Sequence, residues 1–280
     1  MPLETPTLMP SKVEPRQPRA RGEVRLSVRH ARGRTVLDRL HQAGSAKLLL
    51  PRDQAPDRTA VLLNTAGGVT GGDRFRVEVA VAQDAALTLT SQTAERAYRA
   101  QPDQTGEIRT QLNAGAGATI HWLPQETILF NHGALARRLD VDLAEDANLL
   151  AVEPVILGRA AMGETVHNAR FSDQWRVRRQ GRLIYADNLR LHGNVAAMTE
   201  GSATLGGHRA FASILFATID AERHLAPLRT MLPETAGASL IRPGVLAARL
   251  TASDGLTLRR TLIPVLEMLR GYPMPTVWKM

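Results

Sequence analysis

The 280-residue chain contains no cysteine. That excludes a disulfide framework, a thiolate zinc site, an iron–sulfur cluster and a cysteine nucleophile, and it fits a reducing, cytoplasmic setting. Aromatic residues make up 4% of the chain, too few for a base-stacking platform, so no nucleic-acid partner is expected. No apolar run approaches the ~18 residues that a membrane helix needs. The longest candidate, Ala210 to Ile219, is far shorter, and no membrane partner is expected. The proline-rich segment up to Arg21 has no apolar core and does not read as a secretory signal. What is present, 44% hydrophobic and 22% charged residues, is the make-up of a globular protein with ample chain to bury a core.

The formal charge is +8, and its location matters more than its size. Eight basic and three acidic residues fall between Met1 and Arg34, so this stretch alone carries +5. The expected organisation is a solvated basic, Pro-rich leader over residues 1–22, followed by one β domain over 23–280.

Alternation with period two recurs along the chain and marks half-buried strands. Phe75, Val77, Val79 and Val81 interleave with Arg74, Arg76 and Glu78; Leu139, Val141 and Leu143 interleave with Asp140 and Asp142. Leu87 and Leu89 alternate with Thr88 and Thr90, Ile120 and Trp122 with Thr119 and His121, and Trp175 and Val177 with Arg176 and Arg178. Turn signals such as Gly71-Gly72-Asp73, Gln83-Asp84 and Gln180-Gly181 separate these runs. Helical spacing appears only near the end. Asp220 is placed to cap a helix carrying Leu225, Leu228 and Leu232 and stopped by Pro233. Ser253 or Asp254 is placed to start a second, with Leu258, Leu262, Leu266 and Leu269, in which Pro264 predicts a kink or a late start. No internal repeat of fixed period is visible.

Familiar catalytic signatures fail. Gly67 to Asp73 is glycine-rich, but a phosphate-cradling loop needs Lys and Ser or Thr after its last glycine, and Asp73 stands there instead. Gly115-Ala116-Gly117 lacks the third glycine of a dinucleotide fingerprint. The eight histidines are scattered singly, and no serine sits in a nucleophile elbow.

Four dense stretches remain that an ordinary β domain does not require: Asn64 to Asp73, Thr90 to Arg99, Leu123 to Ile128, and Glu153 to Glu164. In this order and spacing, together with Gly244 to Leu250 and the ending with Pro275 and Trp278, they resemble the urease accessory protein family UreD, also called UreH. The resemblance spans about residues 33–280. It implies a mainly β fold, a flattened, double-layered, solenoid-like stack of many strands with two C-terminal helices. It also implies a chaperone without catalysis, which binds apo-urease and a UreF-type accessory protein that recruits a UreG-type GTPase, in a larger and dimeric assembly. That assembly inserts nickel into urease after the bridging lysine is carbamylated. The UreD-like subunit would hold no tightly bound cofactor and would pass nickel transiently, through a water-filled interior.

The residues of these stretches admit two readings each. Gly67, Gly68, Gly71 and Gly72 permit positive φ or close backbone approach in a tight winding, and Gly158 and Arg159 belong to the same structural motif. Asp73 caps a turn or offers a carboxylate to a passing cation. Glu126, Glu153 and Glu164 lie among apolar neighbours, so a buried carboxylate there must be paired, protonated or wet. Arg159, Arg96 and Arg99 are the candidate partners. The alternative is that Asp73, Glu126, Glu153 and Glu164 line a metal conduit, for which scattered oxygen ligands suit nickel transit better than storage. Tyr272 and Trp278, with Pro273, Met274 and Val277, have the composition of a partner surface or of a hydrophobic clasp. Two other functions stay open. One is a polysaccharide hydrolase or lyase using Glu153 and Glu164, which requires the carboxyls about 5–9.5 Å apart in an open cleft. The other is a purely structural interaction domain.

Overall fold

The computed structural model describes residues 18–52 and 55–279. The chain runs through β1 (Arg21–Ala31), β2 (Arg34–Gly44), β3 (Ala46–Leu49), β4 (Arg58–Asn64), β5 (Arg74–Val81) and β6 (Ala86–Ser91). Next come β7 (Glu95–Ala97), β8 (Gly106–Ala114), β9 (Thr119–Leu123), β10 (Thr127–Leu129), β11 (Ala134–Leu143) and β12 (Asn148–Leu157). The last part holds β13 (Ala169–Arg179), β14 (Arg182–Gly193), α1 (Val195–Thr199), β15 (Ala210–Ala217) and α2 (Leu225–Met231). It ends with β16 (Ala236–Arg242), β17 (Val245–Ala252) and α3 (Gly255–Arg270).

Successive strands alternate between two facing sheets. β5, β8, β11 and β13 stack in parallel in a seven-stranded sheet of order β14-β13-β11-β8-β5-β1-β2. β4, β6, β9 and β12 stack in parallel in the larger sheet of order β16-β17-β15-β12-β9-β6-β4-β3. Each coil thus gives one strand to each sheet, the flattened solenoid that the resemblance implies. At one end the coils close through the same four-residue turn, Ala82–Ala85, Gly115–Ala118 and Ala144–Ala147. In each, the last N–H donates to the first carbonyl, at 3.2, 3.1 and 3.4 Å. The turns also bond to one another: Gly115 donates to the Val81 carbonyl at 2.8 Å and Ala144 to that of Ala114 at 2.9 Å. A structural repeat therefore exists where no sequence period was visible. Only its inward position keeps one residue type (Ala85, Ala118, Ala147, all fully buried), because the other turn positions face water.

The alternating runs bury their apolar phase as expected. Val77, Val79, Leu139, Val141, Trp175 and Val177 meet Leu87, Leu89, Ile120 and Leu149 between the sheets, each large side chain contributing about 1.5–3 kcal/mol. The larger sheet departs from the half-buried expectation. Its second face is covered by α2, α3 and the C-terminal tail, which pack on Leu150, Val152, Ile214 and Leu246, so Thr88, Thr90 and His121 are buried too.

At α3, Asp254 is the cap, its Oδ1 accepting from Thr257 N–H at 2.9 Å. The helix continues through Pro264, whose ring lies on the exposed face, where water can take the carbonyl of Arg260. Asp220 makes no capping bond; a 3-10 turn, Ala221–His224, precedes α2 instead. The leader falls outside the described residues up to position 17. β1 begins at Arg21, two residues before the expected domain start, and Arg21, Arg25, Arg29, Arg32 and Arg34 belong to the β1–β2 hairpin rather than to a solvated tail.

A charged cavity where the signature stretches meet

At the end of the coils remote from the stacked turns, the two sheets part around a half-open cavity of about 140 Å³. All four signature stretches reach it, through Asn64 and Gly67, through Gln92 and Glu95, through Pro124 and Gln125, and through Glu153. Leu62, Phe75, Val77, Ile108 and Leu139 form the apolar part of the lining.

Among them lies a buried charge cluster that bridges the two sheets. Arg137 lies on the inward phase of β11, between Leu135 and Leu139; Asp173 lies on the inward phase of β13, between Phe171 and Trp175. Arg137 Nη1 is 2.5 Å from Glu153 Oε2 and donates to Thr127 Oγ1 at 2.8 Å, while its Nη2 donates to Asp173 Oδ2 at 2.7 Å. Trp122 Nε1 donates to Glu153 Oε1 at 2.7 Å, and the Arg137 guanidinium lies 5.1 Å from the centre of the Phe171 ring. Burial pushes the Glu153 carboxyl up to about 7, aided by the Asp173 charge and opposed by Arg137 and the Trp122 bond. Arg137 Nε and Asp173 Oδ1 have no protein partner.

At the rim, Glu95 accepts from Asn64 Nδ2 at 3.1 Å and from Arg96 N–H at 3.0 Å, and burial raises its carboxyl above the usual range. Asn64 Nδ2 also donates to the Gly68 carbonyl at 3.0 Å. Gly68 is required here because a Cβ would strike the Tyr98 ring. Tyr98 meets Phe130 edge-on at 5.1 Å, and the Arg159 guanidinium sits 4.5 Å from the Phe130 ring centre.

Of the four expected conduit carboxylates, only Glu153 lines the cavity. Asp73 closes a turn, Oδ1 accepting from Ala20 N–H at 2.7 Å and Oδ2 from Thr70 N–H at 2.8 Å, with Gly71 and Gly72 in the same loop. Glu126 lies outside the lining, 3.4 Å from Arg259 of α3. Glu164 is held by Arg159 at 2.8 Å, the expected partner, and this bond draws its carboxyl below the usual range. Gly158 takes φ +73° beside the Glu164 carbonyl, where a Cβ would crowd it. The two carboxylates of the hydrolase reading thus lie in different settings rather than in one cleft.

Trp278 is 2% exposed, donating through Nε1 to Thr90 Oγ1 at 3.0 Å and to the Leu123 carbonyl at 3.1 Å. Trp278 thus packs as the clasp, whereas Tyr272 stays partly exposed. Tyr272 packs on the Arg270 guanidinium at 4.1 Å and lies 3.3 Å from His121 Nδ1. Beneath it lies a second polar network. Asp57 accepts a short bond from Thr88 and sits 3.5 Å from His121 and 3.6 Å from Arg270. Burial alone would raise the Asp57 carboxyl, but His121, Thr88 and Arg270 together hold it down at about 2. Burial lowers the pKa of His121. No group of three or more His, Asp or Glu side chains suited to a metal occurs among the described residues. None of their helices is long and apolar enough to cross a membrane.

Sequence reasoning missed Arg137 and Asp173. Their signal was available: each is a charged residue on the buried phase of an alternating strand.

Fold and cavity define a class: a two-sheet β-solenoid that encloses a half-open, charged interior. The comparisons with known proteins narrow it. The family model described as UreD urease accessory protein matches residues 20–279, and the chain belongs to that family, with a role in urease maturation. It is 47% identical over 266 residues to the urease accessory protein UreD of Rhizobium etli, covering 95% of this chain and 97% of that one. The UreD proteins of Rhizobium rhizogenes and Roseobacter denitrificans are 47% and 46% identical, over 95% and 94% of this chain and 97% and 96% of theirs.

Proposed function

We propose that the protein is a non-catalytic cytoplasmic scaffold for urease activation. In this reading it binds apo-urease and a UreF-type accessory protein, with a UreG-type GTPase, in a larger dimeric complex, and passes nickel through its interior without retaining it. The observation that carries this reading is the convergence of all four signature stretches on one half-open cavity. A cation entering meets Glu95 at the rim and Glu153 and Asp173 inside. Arg137 already neutralises part of that negative charge, so a divalent ion finds attraction without a complete ligand set. Weak binding of this kind suits transit, since a tight site would trap the metal.

The test is co-expression of Glu153→Gln and Asp173→Asn variants with urease and its accessory proteins. Nickel in purified urease should fall several-fold while the variant complex still assembles. Unchanged nickel content in the double variant, with assembly intact, would overturn the interior route.

A further inference from the structure

The outer face of the seven-stranded sheet is left to solvent, and its chemistry is unusual. Parallel register places Arg76, Arg109 and Arg138 side by side on β5, β8 and β11. Like charges directly opposite each other on neighbouring strands destabilise a sheet, so nothing in the fold itself calls for this row. Each arginine has an acidic neighbour two residues away on its own strand: Glu78 at 2.5 Å, Glu107 at 3.0 Å and Asp140 at 2.5 Å. Those neighbours lie low, 23–34% exposed, whereas the arginines are 51–69% exposed. A body approaching this face meets guanidinium groups first.

We infer that this face docks an acidic protein surface, with Arg76, Arg109 and Arg138 at its centre. The inference rests on the scaffold reading above and adds the surface by which the scaffold takes hold of a partner. β1, β5, β8, β11 and β13 at ~4.8 Å spacing, with about five outward positions each, present roughly 20 by 30 Å. That approaches the ~800 Å² per side of an ordinary specific interface. The interspersed carboxylates oppose a uniformly anionic polymer such as nucleic acid, and no aromatic side chain stands on the outward phase of these strands to stack on bases. The central outward positions carry no large apolar side chain that would enter a bilayer. A protein surface with acidic groups spaced among others is the occupant that fits, and such a contact is steered electrostatically.

The experiment compares the full chain with R76E/R109E/R138E and R76K/R109K/R138K variants. Binding is measured to apo-urease and, separately, to the UreF-type protein, at 50 and 300 mM salt. Native binding to one of the two should weaken with salt. The glutamate variant should lose about tenfold or more toward that protein, and the lysine variant should keep most of it, with thermal melting unchanged in both. Equal binding by the native and glutamate chains overturns this inference alone. Failure of the native chain to bind either protein overturns the scaffold reading and this inference with it. Two further probes, a 30-base-pair duplex and vesicles with 30% phosphatidylserine, would displace the protein-partner assignment if either binds the native chain and loses it in the glutamate variant.

Discussion

Two buried polar networks lie on opposite faces of the same sheet and differ in one respect. Arg137, Glu153 and Asp173 border a cavity, whereas Asp57, Thr88, His121 and Arg270 are sealed under Tyr272 and the C-terminal clasp. Both contain an arginine facing carboxylate, yet the carboxyls move in opposite directions, Glu153 up to about 7 and Asp57 down to about 2. Sealing alone does not decide the direction. Asp57 keeps its charge because His121, Thr88 and Arg270 all converge on it, while Glu153 shares a single arginine with a second acid. The Asp57 network holds a fixed charge; the Glu153 network stays able to trade a proton.

The contrast is broken most severely by removing one arginine from each. Arg137→Leu and Arg270→Leu should each cost about 3–5 kcal/mol in denaturant unfolding, since buried carboxylate is left uncompensated. A loss below 1 kcal/mol at Arg137 would mean that water already screens that network. Trp278→Ala should cost about 3–5 kcal/mol by opening the clasp. Asp57→Asn comes next, about 1–3 kcal/mol at neutral pH, and should leave nickel loading of co-expressed urease intact in whatever complex assembles. Because the Asp57 carboxyl lies below its ordinary 3.8 in the folded chain, its contribution is present above pH 3.8 and fades as pH falls toward 2.

The subtlest test is the pH profile of Glu153→Gln. With its carboxyl raised from 4.5 to about 7, folded Glu153 holds its proton more tightly than the unfolded chain does. Its contribution is therefore full below pH 4.5 and is lost as pH rises to about 7. Glutamine cannot titrate, so the variant's unfolding free energy should vary less between pH 4.5 and 7 than the native one. An unaltered slope would remove Glu153 as the titrating group.

Much of the fold was legible where one strand face is wet. β5, β11 and β13 alternate cleanly because their outward phase meets solvent. The larger sheet was harder to read, since burial on both faces hides which phase Thr88, Thr90 and His121 occupy until α3 and the tail are placed. Asp254 capped its helix as read, whereas Asp220 did not, because a 3-10 turn absorbs the start of α2. The signature stretches converge at one end of the molecule, but only Glu153 among the four expected acids reaches the cavity. Asp73 and Glu164 are held by turn amides and by Arg159, the capping and pairing alternatives that the sequence had left open, and only the Ala20 contact joins distant residues.

The shared turn geometry of Ala82–Ala85, Gly115–Ala118 and Ala144–Ala147 makes each winding self-similar, so a tandem duplication of one winding would find its seat prepared. The same self-similarity invites open-ended polymerisation if a raw parallel edge were bared. Here the parallel stacks are flanked by antiparallel partners, β2 and β14 on one sheet and β3 and β15 on the other. These flanking strands end the parallel stacks and keep a potentially fibrous architecture finite.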